Sequence, residues 1–310
     1  MDTLTSLKNR IAAEIPGLSL VEKAEMSKHT TFKAGGKAAL LAEVRNVSEL
    51  KSLLKIVAEE GAKSFFLGNG SNTLFRDGIY EGIVIKFAQD SSFNMVEEMK
   101  VVGDTCEFKV GAGMLMSQFA RFAGNLSYTG FEALSGIPGT VGGAVFMNAG
   151  AYGSEIKDVL KCAHVVSYDG KEELDVPAGE LELGYRHSKL EETKGIVIDV
   201  TFVLALGDLA QISSLTKDFM ERRNSKQPLA FPSAGSTFKR PEGYFAGKLI
   251  EDSGLKGLTV GGAQVSGKHA GFVINKGGAT ATDIVELITL VKNVVYEKFG
   301  VVLEPEVRII

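Results

Sequence analysis

The sequence predicts an α+β fold organised around one glycine-rich stretch, and three observations predict it. The first is a strand–helix–strand pattern near the N-terminus: apolar residues 38–44, an amphipathic run through Leu50, Leu53, Leu54 and Val57, and a short strand over 64–67. The second is a series of strand-like runs over 94–111 and 157–206, spaced as antiparallel neighbours. The third is the stretch SGIPGTVGGAVFMNAGAYG at 135–153. Its six glycines alternate with small apolar residues instead of the serine and charge of a linker. Such a run either packs as a turn cluster without a ligand or offers main-chain N–H groups to a phosphate.

Bulk properties narrow the function classes. At 310 residues the chain is long enough for two or three domains with sizeable cores. Its 45% apolar and 23% charged content is that of a soluble globular protein. A net charge of −4 without a basic block argues against nucleic acid as a partner. The polar opening residues do not read as a signal peptide, and the most apolar run, 196–206, is too short for a bilayer and contains Asp199. Cys106 and Cys162 are too few for a disulfide framework. They are not at metal-ligand spacing, and the four histidines are scattered, so no metal is expected and a reducing cytoplasm is.

In chain order, residues 5–15 form a short helix with Leu7, Ile11 and Ile15 as its stripe. Asn46 with Glu49 is a capping signal for the helix that Gly61 ends. Its strand partner runs into Gly68, Asn69, Gly70, Ser71 and Asn72, and another strand follows at 83–87. Gly103-Asp104 marks a hairpin, and residues 114–124 a helix. Three strands are expected within 159–166, 172–176 and 196–206. Asp208 caps a helix with Leu209, Ile212, Leu215 and Phe219 on one face, ending at Arg222-Arg223 where positive charge suits a helix C-terminus. Further on, a helix covers 245–252, short strands lie near 259–265 and 271–275, and a strong helix spans 282–298 with Ile284, Ile288, Val291 and Val295 inward and Gly300 as its stop. In a terminal strand, period two puts Glu306 and Arg308 on one face.

Two familiar phosphate motifs are excluded. Gly68-Asn69-Gly70 would need its third dinucleotide-binding glycine at Thr73, and no helical periodicity follows. Gly111-Ala112-Gly113 also lacks the third glycine, and no GK[ST] follows either loop.

Several polar residues each support two readings. Arg186 stacks on Tyr185 at a surface or serves a site. Ser236 is a turn serine, or a hydroxyl made a better proton donor by a cationic setting that includes Lys239 and Arg240. Glu306 is half of a solvated ion pair or a working carboxyl. His269 is a satisfied histidine or a ligand contact. Arg222 and Lys226 end a helix or grip a diphosphate. Periodicity and charge alone stop at a cofactor-binding α+β protein.

The stretches HTTFKAGG, LGNGSNTLF, ALSGIPGTVGGAVFMNAGAYG, YRHS, RRNSKQPLAFPSAGSTFKRP, KHAGFVIN and EPEVRII run in this order from residue 29 to 310. Together they resemble the UDP-N-acetylenolpyruvoylglucosamine reductase family, in its shorter type without the extra substrate-covering loop. The resemblance implies non-covalent FAD on a PCMH/vanillyl-alcohol-oxidase-type fold. It implies two α+β FAD-binding subdomains, 1–88 and 89–217, and an α+β substrate-binding domain, 218–310, whose final strand, 301–310, packs back on the first subdomain.

It further implies that FAD is held by Gly68, Asn69, Gly70, Ser71, Asn72, Ser135, Gly136, Pro138, Gly139, Thr140, Gly142, Gly143, Asn148, Ala149, Gly150 and Gly153. Tyr185, Arg222, Lys226 and His269 would bind substrate. Arg186, Ser236 and Glu306 would be catalytic: Arg186 stabilising enolate charge, Ser236 donating the proton, Glu306 assisting at the carboxylate. The implied reaction is NADPH-dependent, FAD-mediated reduction of UDP-N-acetylglucosamine enolpyruvate to UDP-N-acetylmuramate in peptidoglycan precursor synthesis, by a cytoplasmic monomer. The alternatives are a non-catalytic flavin or sugar-nucleotide binding protein, and a same-fold FAD oxidoreductase with another substrate.

Overall fold

A computed structural model describes residues 3–310. The chain runs through α1 (Thr3–Glu14), β1 (Ser19–Glu25), β2 (Lys37–Val44), α2 (Val47–Glu59), β3 (Ser64–Phe66), β4 (Thr73–Leu74) and β5 (Ile79–Phe87). It continues with β6 (Val96–Val102), β7 (Thr105–Gly111), α3 (Met116–Asn125), β8 (Tyr128–Thr129), α4 (Val141–Phe146), β9 (Gly150–Ala151), β10 (Ser154–Glu155), β11 (Leu160–Val166) and β12 (Glu173–Pro177). Then come α5 (Leu190–Thr193), β13 (Ile196–Leu206), α6 (Leu209–Lys226), α7 (Ala246–Asp252), β14 (Thr259–Val260), β15 (Ala263–Val265), β16 (Val273–Asn275), α8 (Ala281–Phe299) and β17 (Arg308–Ile309). These form two compact units: residues 1–21, 40–69 and 82–221 in the first, and 22–39, 70–81 and 222–310 in the second.

The first unit is centred on an antiparallel sheet of order β12-β11-β13-β7-β6, with β8 paired to the end of β13. Gly103-Asp104 makes the β6–β7 hairpin as expected, because a left-handed Gly103 fits a tight turn. One buried core gathers Phe108, Phe119, Phe131 and Phe202, with Phe119 stacked on Phe202 at 5.2 Å. The N-terminal helices supply a second core through Leu7, Ile11, Leu50, Leu53 and Leu54. The long strand β13 serves both: Ile196 and Ile198 enter the second core, while Val200, Phe202 and Leu204 enter the first. This is why its sequence is apolar on both faces. Asn46 Oδ1 caps α2 by accepting the Glu49 N–H at 2.9 Å. β3 and β5 pair in parallel, Ser64 opposite Ile83 and Phe66 opposite Ile85.

The second unit packs α8 and α7 against the small sheet β14-β15-β16, burying Leu249, Ile250, Leu287, Ile288 and Val291 with Phe32 and Phe238. Segment 231–241 threads this unit through single bridges, Ser233 to Ile274 and Phe238 to Pro305. β17 pairs in parallel with β4, Arg308 opposite Thr73 and Ile309 opposite Leu74.

Three local expectations are corrected. The stretch 135–153 contains a six-residue helix, α4, capped by Thr140. Helix α6 continues past Arg222-Arg223 to Lys226, because the constraint that Pro228 imposes falls on Gln227. The terminal strand is only Arg308–Ile309, with a bend at Val307, so period two does not reach Glu306.

Helix α8 has a second cap from afar. The Asp77 carboxylate accepts the N–H groups of Ala281 at 3.0 Å and Thr282 at 2.7 Å, and the Thr282 hydroxyl at 2.7 Å. Partial burial alone would raise the Asp77 pKa, but these hydrogen bonds outweigh it and hold the carboxyl below its usual range. A depressed carboxylate pKa stabilises the fold above the unfolded value of about 3.9 and ceases to do so as pH falls through the folded value. Asp77→Ala should therefore cost about 1 kcal/mol at pH 7, typical of a lost helix cap. In urea titrations at several pH values, the gap from the parent should close below pH 4; a gap that widens there would refute the assignment.

Candidate functional site

In the first unit the two glycine-rich segments meet. Asn69 Nδ2 donates to the Pro138 carbonyl at 2.6 Å, and a Cβ on Gly68 would lie 2.8 Å from Thr140 Oγ1. Thr140 Oγ1 also accepts the Gly143 N–H at 3.3 Å and so caps α4. The start of α4 is pinned by Val141 N–H to Met114 O at 2.8 Å and Gly142 N–H to Ala112 O at 2.9 Å. A Cβ on Gly142 would sit 2.8 Å from the Ala112 Cβ, so this glycine is required by packing.

The loop 68–72 has a different character. Gly70 is left-handed at φ +66°, and a Cβ there would fall 2.2 Å from the His29 carbonyl oxygen. Among the described residues, the main-chain N–H groups of Gly68, Asn69, Gly70, Ser71 and Asn72 donate to no protein acceptor. Two of the loop's carbonyls are engaged: Gly70 O accepts from Thr31 N–H at 3.1 Å and Asn72 O from Arg308 N–H at 3.0 Å. Five successive donors on a loop held by its carbonyls make an anion cradle of the kind that binds phosphates.

Arg186 sits in a turn closed by mutual main-chain bonds, Gly184 N–H to His187 O at 3.0 Å and His187 N–H to Gly184 O at 3.3 Å. Its φ is +54°, and its Nη2 donates to Gly150 O at 3.3 Å. Its guanidinium lies 5.2 Å from the ring centre of the half-exposed Tyr185. Ser188, fully buried, donates to Phe146 O at 2.6 Å. Asn148, also fully buried, donates to Glu155 Oε2 at 3.1 Å and Gly184 O at 2.9 Å, and accepts the Lys157 N–H at 3.0 Å. Its side chain is thus spent inside the protein, and its own N–H donates to Val145 O at 3.0 Å. Glu155 is held below the usual carboxylate range by the Lys157 ammonium, with help from Asn148 and Arg186. Tyr152 stacks on Phe219 at 5.0 Å.

In the second unit, exposed Ser236 precedes buried Thr237. Thr237 O accepts the Glu306 N–H at 2.8 Å, so Ser236 and Glu306 are brought to neighbouring strands of chain. Asn72 Nδ2 donates to the Glu306 carbonyl at 3.0 Å, which adds Asn72 to the same region of this unit. Of the cations considered beside Ser236, Lys239 pairs with Glu304 at 2.5 Å and Arg240 lies over the Phe245 ring at 4.0 Å. Lys226 ends α6, exposed, and Arg222 lies one turn earlier. His269 Nδ1 accepts the Gly271 N–H at 3.1 Å, and its ring packs edge-on to Phe272. Burial pushes its pKa down, so it is neutral at pH 7 with Nε2 carrying the proton.

Arg186 belongs to the first unit, and Ser236 and Glu306 to the second. Sequence reading missed Asn148, Ser188 and Thr237 as supports. Each lies within or beside a quoted motif, but nothing in the spacing says that the side chain turns inward.

Comparison with known proteins bears on this site. A family profile described as the C-terminal domain of UDP-N-acetylenolpyruvoylglucosamine reductase matches residues 227–310, and one described as an FAD binding domain matches residues 38–173. The UDP-N-acetylenolpyruvoylglucosamine reductase of Alkaliphilus oremlandii is 47% identical over 310 residues, covering 100% of this chain and 99% of its own. That of Clostridioides difficile is 46% identical over 285 residues, covering 92% and 91%. The crystal structure of the Thermus caldophilus reductase superposes with a TM-score of 0.78 at 34% identity, covering 94% of this chain and 98% of its own.

The cradle gives a local test. Gly70→Ala must relieve a 2.2 Å clash and a left-handed strain. The variant should unfold at lower denaturant and, where folded, bind a diphosphate ligand at least about tenfold more weakly, the cost of one misplaced charge-assisted hydrogen bond. Calorimetry with ADP as the probe measures this; unchanged affinity would remove the cradle.

Proposed function

The chain belongs to the UDP-N-acetylenolpyruvoylglucosamine reductase family, and we infer that it reduces UDP-N-acetylglucosamine enolpyruvate to UDP-N-acetylmuramate with FAD as cofactor and NADPH as donor. The observation that carries the reading is the run of uncommitted N–H groups at 68–72, beside the Asn69–Pro138 and Gly68–Thr140 contacts. It fits the diphosphate of FAD, which Gly68, Asn69, Gly70, Ser71 and Asn72 would hold. Residues 135–153 would form a wall behind it. Residues 1–88 and 89–217 are proposed as the FAD-binding subdomains and 218–310 as the substrate-binding domain. When bound, FAD would supply the hydride-transfer chemistry between NADPH and the enolpyruvyl double bond.

The chain's own tasks are charge and proton. Hydride addition at the vinyl terminus leaves negative charge on the adjacent carbon and its carboxylate. Arg186 supplies a fixed guanidinium to that charge, whose geometry suits a carboxylate. Glu306 offers a carboxyl to the enolic oxygen. Ser236 delivers the proton to carbon. A serine is too weak an acid unaided, so a cation must favour its alkoxide. With Lys239 held by Glu304 and Arg240 by Phe245, Lys226 is the cation favoured for this role. Tyr185, Arg222 and His269 are proposed substrate contacts, His269 as a neutral Nε2–H donor. The free thiols Cys106 and Cys162 are consistent with a reducing cytoplasm.

The purified protein should show flavin absorbance that bleaches with NADPH and recovers on adding the enolpyruvyl sugar nucleotide. Ser236→Ala should still bleach, but its recovery should slow by about 100-fold or more, the usual range for a lost general acid. A colourless protein overturns the cofactor. Bleaching without recovery in the parent favours a binding protein or another substrate. Recovery at the parent rate in Ser236→Ala removes the serine from the mechanism.

A further inference from the structure

Arg186 occupies a backbone conformation that an arginine does not choose. It is the second central residue of the Gly184–His187 turn, with φ +54°, where glycine or asparagine is the usual occupant. A non-glycine residue there persists only when its surroundings over-determine it. Among the described residues, two fully buried side chains do this from outside the turn. Asn148 Nδ2 donates to Gly184 O at 2.9 Å, at the entrance of the turn. Ser188 Oγ donates to Phe146 O at 2.6 Å, at its exit. Both tie the turn to the segment that ends α4. Asn148 is itself left-handed at φ +40°, and its remaining atoms are fixed by Glu155 Oε2 and the Lys157 N–H.

We propose that Asn148 is a positioning residue for Arg186: with Ser188 it clamps the 184–187 turn to the end of α4 and so holds Arg186 in its strained, projecting conformation. The proposal rests on the role given to Arg186 above. A buried asparagine of purely structural value would need partners of any kind. This one places a donor on the carbonyl two residues before Arg186, and the Arg186 guanidinium returns to Gly150 O, two residues after Asn148. The two segments are thus tied in both directions. Alanine at 148 leaves the Gly184 carbonyl only its 3.3 Å bond from His187 N–H, and the turn can then relax to an ordinary negative φ at Arg186.

The test is a double-mutant cycle on the flavin-loaded enzyme, following NADPH bleaching and substrate-driven recovery separately. Asn148→Ala should slow recovery about tenfold or more, as a 1 Å misplacement can, and slow it by a larger factor than it slows bleaching. In an Arg186→Ala background, already slow, adding Asn148→Ala should change recovery less than about twofold, since residues acting as one unit are not additive. In the flavin-free protein, Asn148→Ala should speed amide hydrogen exchange across 184–188. Ser188→Ala, a milder cut at the exit, should show the same pattern to a smaller degree and serves if Asn148→Ala does not fold. Equal slowing in both backgrounds, or unchanged recovery and exchange, overturns the proposal. Should Arg186→Ala itself recover at the parent rate, the catalytic role of Arg186 falls, and the exchange data still decide whether Asn148 pins the turn.

Discussion

Close approach of neighbouring atoms to bare glycine main chain is the constraint on which the rest of this structure depends. A Cβ on Gly68 would lie 2.8 Å from Thr140 Oγ1, one on Gly142 2.8 Å from Ala112 Cβ, and one on Gly70 2.2 Å from the His29 carbonyl oxygen. Each leaves no room for a side chain unless a neighbour shifts, and each is local to one unit. Their consequence is geometric. The loop 68–72 is fastened through the Gly70 and Asn72 carbonyls, and among the described residues its five N–H groups have no protein acceptor. The anion cradle is what close backbone packing leaves over.

This separates two jobs that glycine performs in similar-looking sequence. Gly142 serves the packing of α4 on Ala112, and Gly150 serves a tight return, since a Cβ there would meet Ser154 O at 2.8 Å. Gly153, with open space at its Cβ position and φ +89°, serves backbone conformation alone. Of the two glycine-rich segments, and among the described residues, the 68–72 loop is the one with five successive N–H groups that have no protein acceptor. A stretch rich in glycine is therefore a poor guide to which of its members meets a ligand.

The legible parts of the fold are those where one local rule decides. Asn46 capping α2, the Gly103 hairpin and Gly300 ending α8 in a left-handed conformation follow from single-residue chemistry. The α8 stripe Ile284, Ile288, Val291 and Val295 follows from period 3.6 and is buried throughout. Helix α4 was not legible: Gly142-Gly143 is a poor helix sequence, and tertiary bonds to Ala112 and Met114 overrule propensity. The path of the chain at Glu306 was illegible for the same reason, because its N–H is claimed by Thr237 and not by a strand ladder. At the candidate site, residue types were readable from motifs, while their supports were not. Asn148, Ser188 and Thr237 look like ordinary polar residues until a main-chain partner is found opposite each: a carbonyl for Asn148 and Ser188, the Val273 N–H for Thr237.

Thr237 shows how the second unit uses such a support. It is fully buried, its N–H donates to Gly271 O at 2.8 Å, its carbonyl accepts from Glu306 at 2.8 Å, and its Oγ1 accepts the Val273 N–H at 2.9 Å. The spacing between the Ser236 and Glu306 main chains is therefore set by hydrogen bonds that neither side chain makes. That arrangement suits proton transfer. A hydroxyl and a carboxyl that must exchange partners during a reaction cannot also be the groups that hold the site together. The same division recurs at Arg186, whose turn is fastened by Asn148 and Ser188. In both units the residues proposed to do chemistry are exposed or half-buried, and the neighbours that fix them are buried and saturated. Rigidity is placed one residue away from reactivity, because a buried, fully hydrogen-bonded side chain is costly to disturb and a reacting one has to move.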